Sequence, residues 1–249
     1  MEQIYNSYNN LFIKSSDPLT REWPLISSPF PLMFIIFGYL YLVLYGGPRY
    51  MKDRPPYKLK TFILLYDLTQ ILANLWFVKE HIAFGWFSKY NIICLQLPTP
   101  DSSNTHRIIN TIWWLFLLKI FDFVETCIFV LRKKQNQVSK LHVHHHVSNL
   151  VTGWLYLKYF PEERMTFISL LNCTVHVIII QMIQFLAMIA YLLQALNPVC
   201  EARLKYYLFN YYSSSVILSI FSGNLLLYLY LFYDFYKKNY TSTSKEKNS

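Results

Sequence analysis

Runs of apolar residues long enough to cross a bilayer recur along this chain, over residues 30–47, 62–88, 108–131, 142–160 and 165–185. About 20 consecutive apolar residues cross a hydrocarbon core as a helix, and in lipid every backbone polar group must be bonded within its own segment. The pattern predicts an all-α polytopic membrane protein. The last of these runs extends as a largely apolar stretch to 196, and another covers 206–236, interrupted by Ser213-Ser214-Ser215 and Ser222-Gly223; each has room for one long helix or two short ones. Only 15% of the residues are charged, against 54% hydrophobic, where a soluble domain carries about 25% charged residues. A soluble fold does not fit that balance, and the apolar runs leave no space for a separate soluble domain.

The formal charge of +9 is confined to short stretches between the apolar runs. It reads as topology information and not as the basic polar face a nucleic-acid partner requires, so no nucleic acid is expected. Arg49, Lys52, Arg54, Lys58 and Lys60 mark residues 48–60 as cytosolic, and Arg132, Lys133, Lys134 and Lys140 do the same for 132–140. Residues 1–29 are then a lumenal segment without the basic start and apolar core of a cleavable signal, so the first span targets the chain. Residues 30–236 are expected to form the membrane domain. The tail 237–249, with Lys237, Lys238, Lys245 and Lys247, reads as cytosolic, which requires an odd number of spans and gives about seven. Lys245 and Lys247 also match a dilysine retrieval signal, which places the protein in the endoplasmic reticulum membrane. A sequon at Asn239-Tyr240-Thr241 would be used only if the tail were lumenal. Cys94, Cys127, Cys173 and Cys200 are too few and too scattered for a disulfide scaffold or a zinc ligand set.

Charges inside a span cost roughly 2.5–3.5 kcal/mol each on insertion scales and usually face a protein interior. Lys119, Asp122 and Glu125 stand at i, i+3 and i+6 in the third span and, with Thr126, form one polar helical face. They are either an ion-pair cluster docking this helix or the wall of a site. The next span opens with His142, His144, His145 and His146, of which His142, His145 and His146 share a face while His144 points largely away. A metal site, a nucleophile or base cluster, a pH-sensing patch and a plain interfacial patch all remain open on spacing alone. Seven histidines in the whole chain, with His81 and His106 far from the others in sequence, cannot supply the eight or so ligands of a membrane di-iron site. A mononuclear zinc site could still draw an acid from the third span. His176, with Asn172 one turn earlier, adds a polar position in a third helix, as in sites assembled within bundle cores.

The run from Lys119 through Asp122, Glu125 and Thr126, then Phe129, Leu131, Arg132, Lys133 and Lys134, then Gln137, Ser139, Leu141, His142, Val143, His145 and His146, and finally Asn172, Val175 and His176, resembles the ELO family of very-long-chain fatty acid elongases. That family carries K-x-x-E-x-x-D-T, F-x-L-R-K-K, Q-x-S-x-L-H-V-x-H-H and N-x-x-V-H in this order. The chain departs from the pattern in exchanging the two acids, Asp122 for Glu and Glu125 for Asp. It has Ile180 and Ile183 where tyrosines follow the last motif, lacks a T-x-x-Q-x-x-Q run after Lys205, and is shorter by about one span before the tail.

The resemblance implies condensation of a long-chain acyl-CoA with malonyl-CoA to a 3-ketoacyl-CoA, carbon dioxide and coenzyme A, with no metal or redox cofactor. It implies His145 as the acylated nucleophile, with His142, His146 and His176 orienting the site and binding the developing charge. Glu125, Asp122 and Lys119 would set tautomers and balance charge. Arg132, Lys133, Lys134, Gln137, Asn172 and Lys205 would bind substrate. The implied fold is a ring of six helices around an acyl tunnel, closed toward the lumen, plus one peripheral helix. Implied partners are membrane lipid and the other enzymes of the elongation cycle, reductases and a dehydratase, and a homodimer is compatible with the pattern. The alternative is a catalytically weakened relative that binds acyl-CoA as a regulator or partner; a seven-span receptor or transporter would leave the polar helices unexplained.

Overall fold

A computed structural model describes residues 2–86, 102–159, 166–178, 223–224, 226–231 and 233–234. The described chain is helical, with no β-strand among the described residues. Helix α1 covers Glu2–Asn9 and α2 Pro29–Tyr41; a wide π-type turn at Leu42–Gly46 continues α2 into α3, Gly47–Met51. Next come α4 at Lys60–Ala83, α5 at Ser102–Phe121, α6 at Phe123–Leu131, α7 at Lys140–Tyr159 and α8 at Thr166–Ile178. Two rods, Pro29–Met51 and Lys60–Ala83, are long and apolar enough to cross a membrane. Most of the stretches expected to hold the last spans, together with Ile180, Ile183, Lys205, Cys94, Cys200, the sequon and the dilysine tail, lie outside the described residues, as does the His176 side chain.

Local chemistry sets where the helices begin and end. Ser28 caps α2, its hydroxyl accepting from the Phe30 N–H at 3.4 Å, and Pro29 occupies the first helical position. The second span, expected to run to 88, stops at Ala83 because Gly85 adopts φ 116°, a conformation that ends a helix and that glycine tolerates. The third span is not one uninterrupted rod. At Asp122 the helix tightens, the Glu125 N–H bonding Asp122 O at 3.1 Å, three residues back, and α6 continues from there. Helix α6 closes in a Schellman arrangement, with the Lys134 N–H on Phe129 O at 2.8 Å and the Lys133 N–H on Val130 O at 3.0 Å, which holds Lys133 at φ 55°.

Two sets of contacts define opposite ends of the bundle. At one end the basic connections meet: the Tyr57 N–H donates to Leu131 O at 3.1 Å and Lys133 Nζ to Lys52 O at 3.0 Å. At the other, residues 15–28 cover the last turns of α7, with Trp154 Nε1 donating to Leu25 O at 2.9 Å, Lys158 Nζ to Ser27 O at 3.0 Å and the Asp17 N–H to Lys158 O at 2.8 Å. The same end is tied by Arg107 to Glu80 at 2.7 Å, Trp86 Nε1 to Thr166 Oγ1 at 2.8 Å, and the buried His81 to Ser169 Oγ at 2.6 Å. These pairings put both lysine- and arginine-rich connections on one side, as their charge predicts.

Helix α4 has the inverse of a soluble helix's pattern. Tyr66, Asn74, Phe77 and His81 are buried, whereas Leu64, Leu68, Leu72 and Leu75 are exposed. An apolar outer face with polar groups inside suits lipid as solvent. It packs against α8 and, less extensively, α5, while α5 packs on α7. The first rod lies on α6 through its wide turn and α3. Gly47 marks that crossing: a Cβ there would sit 2.5 Å from Leu42 O and 2.7 Å from Val130 Cγ1. Gly47→Val should therefore destabilise the protein by about 1–3 kcal/mol through overpacking, read as a lower melting temperature in detergent. An unchanged melting temperature would remove the close approach from the account.

Candidate active site

The polar residues of α4, α6 and α7 meet in two linked clusters on the side of the basic connections. Ser139 starts α7, its hydroxyl accepting from the His142 N–H at 3.1 Å. That cap sets His142 on the first turn and His146 one turn further, so their rings face each other. The two Nε2 atoms are 3.2 Å apart and the rings cross at 76° with centroids 4.4 Å apart. Glu125 approaches from α6, its Oε2 3.6 Å from His146 Nε2. Thr126 joins the same group, with Oγ1 3.0 Å from His142 Nε2 and 3.0 Å from Tyr39 Oη of the first rod.

The second cluster lies on the other side of α6. Lys119 Nζ is 3.1 Å from Asp122 Oδ2, a pair whose side chains are only 10% and 4% exposed. The remaining oxygen, Asp122 Oδ1, accepts from Gln70 Nε2 at 2.6 Å, and Gln70 Nε2 also donates to Tyr66 Oη at 2.8 Å. Asn74 Nδ2 completes the row by donating to Gln70 O at 2.8 Å and Gln70 Oε1 at 3.3 Å. The tightened turn at Asp122 divides the labour between the acids: Asp122 binds Lys119 and α4, and Glu125 serves the histidines.

His145 stands beside the histidine pair, its ring centroid 5.7 Å from that of His146. Asn149 Nδ2, one turn on, donates to His145 Nε2 at 3.0 Å, and Tyr228 lies edge-on to the ring at 5.8 Å. Tyr228 Oη donates to His145 O at 3.3 Å and pairs closely with Ser148 Oγ. His144 points elsewhere, as its helical position predicts, with Nε2 donating to Asn224 Oδ1 at 3.0 Å. Arg132, Lys133, Lys134 and Gln137 line the connection leading into α7, the last three exposed. Asn172 lies on α8, which packs against α4, and its buried Oδ1 has no hydrogen-bond partner among the described residues. His176 follows it by one helical turn.

Sequence reasoning missed Tyr39, Gln70, Tyr66 and Asn74. Tyr66, Gln70 and Asn74 follow one another at i, i+4 and i+8 inside an otherwise apolar span, a polar stripe as informative as that of the third span. Tyr39 carried no such mark, being one tyrosine of many. His81, which stands alone in sequence, is buried at the opposite end of the bundle, bonded to Phe77 O at 2.6 Å and to Ser169, away from the other histidines.

Chemically, the first cluster offers imidazole nitrogens backed by a carboxylate, the equipment of base and nucleophilic catalysis. Glu125, His142 and His146 each also bring one ligand atom within 4.8 Å of the others, close enough to share a transition-metal ion. Both histidine Nε2 atoms, however, are already engaged with Thr126, with Glu125 and with each other.

Comparison with known proteins bears on this site directly. The chain is 31% identical to a very long chain fatty acid elongase of Aedes aegypti, over 97% of its own length and 72% of that protein. It is 35% identical to very long chain fatty acid elongase 7 of Drosophila melanogaster, over 71% of this chain and 54% of that protein. With very long chain fatty acid elongase 1 of Mus musculus it shares 33% identity, over 82% of this chain and 70% of that protein. The family model described as ELO: GNS1/SUR4 family matches residues 24–180, which include α2 through α8 and both polar clusters. The chain belongs to the ELO family.

Proposed function

We propose that the protein is a 3-ketoacyl-CoA synthase of the endoplasmic reticulum membrane that elongates long-chain acyl-CoA with malonyl-CoA. The observation that carries this reading is the juxtaposition of His142, His146 and Glu125 beside a separately held His145, in a chain whose relatives are named very long chain fatty acid elongases. The His142–His146–Glu125 group is a base cluster by itself; a third imidazole held apart from it suits a two-step acyl transfer.

In the first step neutral His145 attacks the thioester carbonyl through Nε2, the N–C bond forms, and coenzyme A leaves as its thiol. His145 releases Asn149 to do so. In the second step malonyl-CoA loses carbon dioxide, and the resulting enolate of acetyl-CoA takes the acyl group as the N–C bond breaks, giving the 3-ketoacyl-CoA, while a proton taken up from solvent returns the leaving ring to neutral imidazole. The His146–Glu125 pair holds the proton balance, and His142 and His176 stabilise oxyanion and carboxylate. Arg132, Lys133, Lys134 and Lys205 neutralise coenzyme A phosphates, with Gln137 and Asn172 as polar contacts. Lys119 and Asp122 fix α6 against α4. The acyl chain runs between the helices toward the end covered by residues 15–28, within a ring of helices built from about seven spans, and the tail carries the retrieval signal. The other enzymes of the cycle would reduce and dehydrate the product.

The test is incorporation of radiolabelled malonyl-CoA into long acyl chains by microsomes of cells lacking their own elongases and expressing this protein. Labelled 3-ketoacyl product is expected with at least one saturated or unsaturated primer. Binding of acyl-CoA without any product, from well-expressed protein, would instead identify a non-catalytic relative. The same assay decides between imidazole chemistry and a metal at Glu125, His142 and His146. Treatment of the purified protein with a strong zinc chelator should leave the rate unchanged, and loss of activity restored by zinc would contradict the mechanism.

A further inference from the structure

The chain Tyr39–Thr126–His142–His146–Glu125 can be read proton by proton, because its hydroxyls are shut away from water. Thr126 is fully buried and Tyr39 is 5% exposed, its ring stacked on Phe123 at 3.9 Å and 16°. Among the described residues Tyr39 Oη has one hydrogen-bond partner, Thr126 Oγ1, at 3.0 Å. Thr126 Oγ1 in turn has two, Tyr39 and His142 Nε2 at 3.0 Å. The Thr126 hydroxyl has one proton to give and can accept two, so it donates to Tyr39, donates to His142, or accepts from both, and the last arrangement leaves its own buried proton without an acceptor among the described residues.

If Thr126 donates to Tyr39, the proton of Tyr39 finds no acceptor among the described residues, and His142 must carry its proton on Nε2 to donate to Thr126. His146 Nε2 would then accept from His142 at 3.2 Å, leaving its lone pair turned toward the Glu125 carboxylate at 3.6 Å. That direction strands one buried donor and opposes two electron-rich groups, both costly in a dry interior. If Tyr39 donates to Thr126 and Thr126 to His142, both hydroxyl protons have an acceptor. His142 then holds its proton on Nδ1, its single Nε2 lone pair facing both the Thr126 hydroxyl and the Nε2–H of His146, which also lies toward Glu125.

We propose that Tyr39 is a positioning residue of the active site: acting through Thr126, it fixes His142 as the Nδ1–H tautomer and thereby keeps His146 donating toward Glu125. Tyr39 touches none of the reacting atoms. It belongs to the first rod, whose contact with α6 at Gly47 brings it into reach, so a helix outside the histidine motifs sets the protonation pattern of the histidines. The inference rests on the condensing-enzyme reading given above and adds to it a residue outside every motif that identified the chain.

The experiment measures ketoacyl product from purified, monodisperse wild-type protein, Tyr39→Phe, Thr126→Val, Thr126→Ser and the double variant Tyr39→Phe/Thr126→Val. Tyr39→Phe keeps the ring stack and removes only the hydroxyl. The expected result is a roughly 10- to 100-fold fall in kcat, the range for lost outer-sphere orienting groups, with KM for both coenzyme A substrates within about twofold of wild type. Thr126→Val should fall as far, the double variant no further than Thr126→Val, and Thr126→Ser should recover most of that loss. An unchanged kcat in Tyr39→Phe, or losses that multiply in the double variant, would overturn the relay, as would a change in KM alone. Absence of product from the wild type would instead overturn the enzymatic reading, and the relay with it.

Discussion

Replacing His145 by alanine is expected to lower kcat for ketoacyl formation by roughly 10³-fold or more, the scale seen when a covalent nucleophile is removed from an otherwise intact site. The reasoning is geometric. His145 sits outside the tight His142–His146–Glu125 group, with its Nε2 held by Asn149, so its loss leaves that group's hydrogen bonds in place. The variant should therefore fold, melt near the wild-type temperature and still bind acyl-CoA. His144→Ala provides the contrast: that ring bonds Asn224 and faces away from the cluster, so its removal should reduce activity far less. Equal losses for His145 and His144 would mean that the histidine-rich turn acts only through its fold.

The largest effect on stability should come from Asp122→Leu. Its carboxylate is nearly buried and serves Lys119 on one oxygen and Gln70 on the other. Deleting one partner of a buried ion pair costs about 3–5 kcal/mol, because the surviving Lys119 loses the carboxylate 3.1 Å away in a low-dielectric interior. The melting temperature in detergent should fall steeply. In the double variant Lys119→Met/Asp122→Leu the charge is gone from both sides, and much of the loss should return. Failure of the double variant to recover would mean that Asp122 acts mainly through Gln70 and α4.

Asp122 also shows how far sequence alone reaches. The polar face of Lys119, Asp122, Glu125 and Thr126 was legible from spacing, as were the turn-apart placement of His142 and His146 and the divergence of His144. The division between the two acids was not, because it depends on a tightened turn at Asp122 that helical periodicity does not reveal. Gln70 could have been found, since a polar stripe with Tyr66 and Asn74 inside a span is costly without a partner. Tyr39 could not: a tyrosine in an apolar helix reads as packing until the hydroxyl of Thr126 is seen beside it. The order of the described helices from α2 to α8 followed from apolar runs, and the shared side of the two basic connections followed from their charge. The end of α4 at Ala83 required the backbone conformation of Gly85, which no hydropathy pattern contains.

The exchanged acids gain a physical sense from the same contacts. Glu125, longer by one methylene than the aspartate of the family pattern, reaches from α6 to His146 on α7. Asp122, shorter by one, is met by Lys119 from the end of α5 and by Gln70 from α4. The charges of the pattern are kept, and the added and lost reach is taken up by neighbours.

The central claim is that the acyl group passes through a histidine. It is tested most directly by incubating the purified protein with a long-chain acyl-CoA in the absence of malonyl-CoA and mapping the products by peptide mass spectrometry. The account predicts release of about one equivalent of free coenzyme A and an acyl mass on the peptide containing His145, removed by hydroxylamine or by adding malonyl-CoA and absent from His145→Ala. A wild-type protein that turns over with both substrates, yet never carries an acyl group on a histidine, would contradict it.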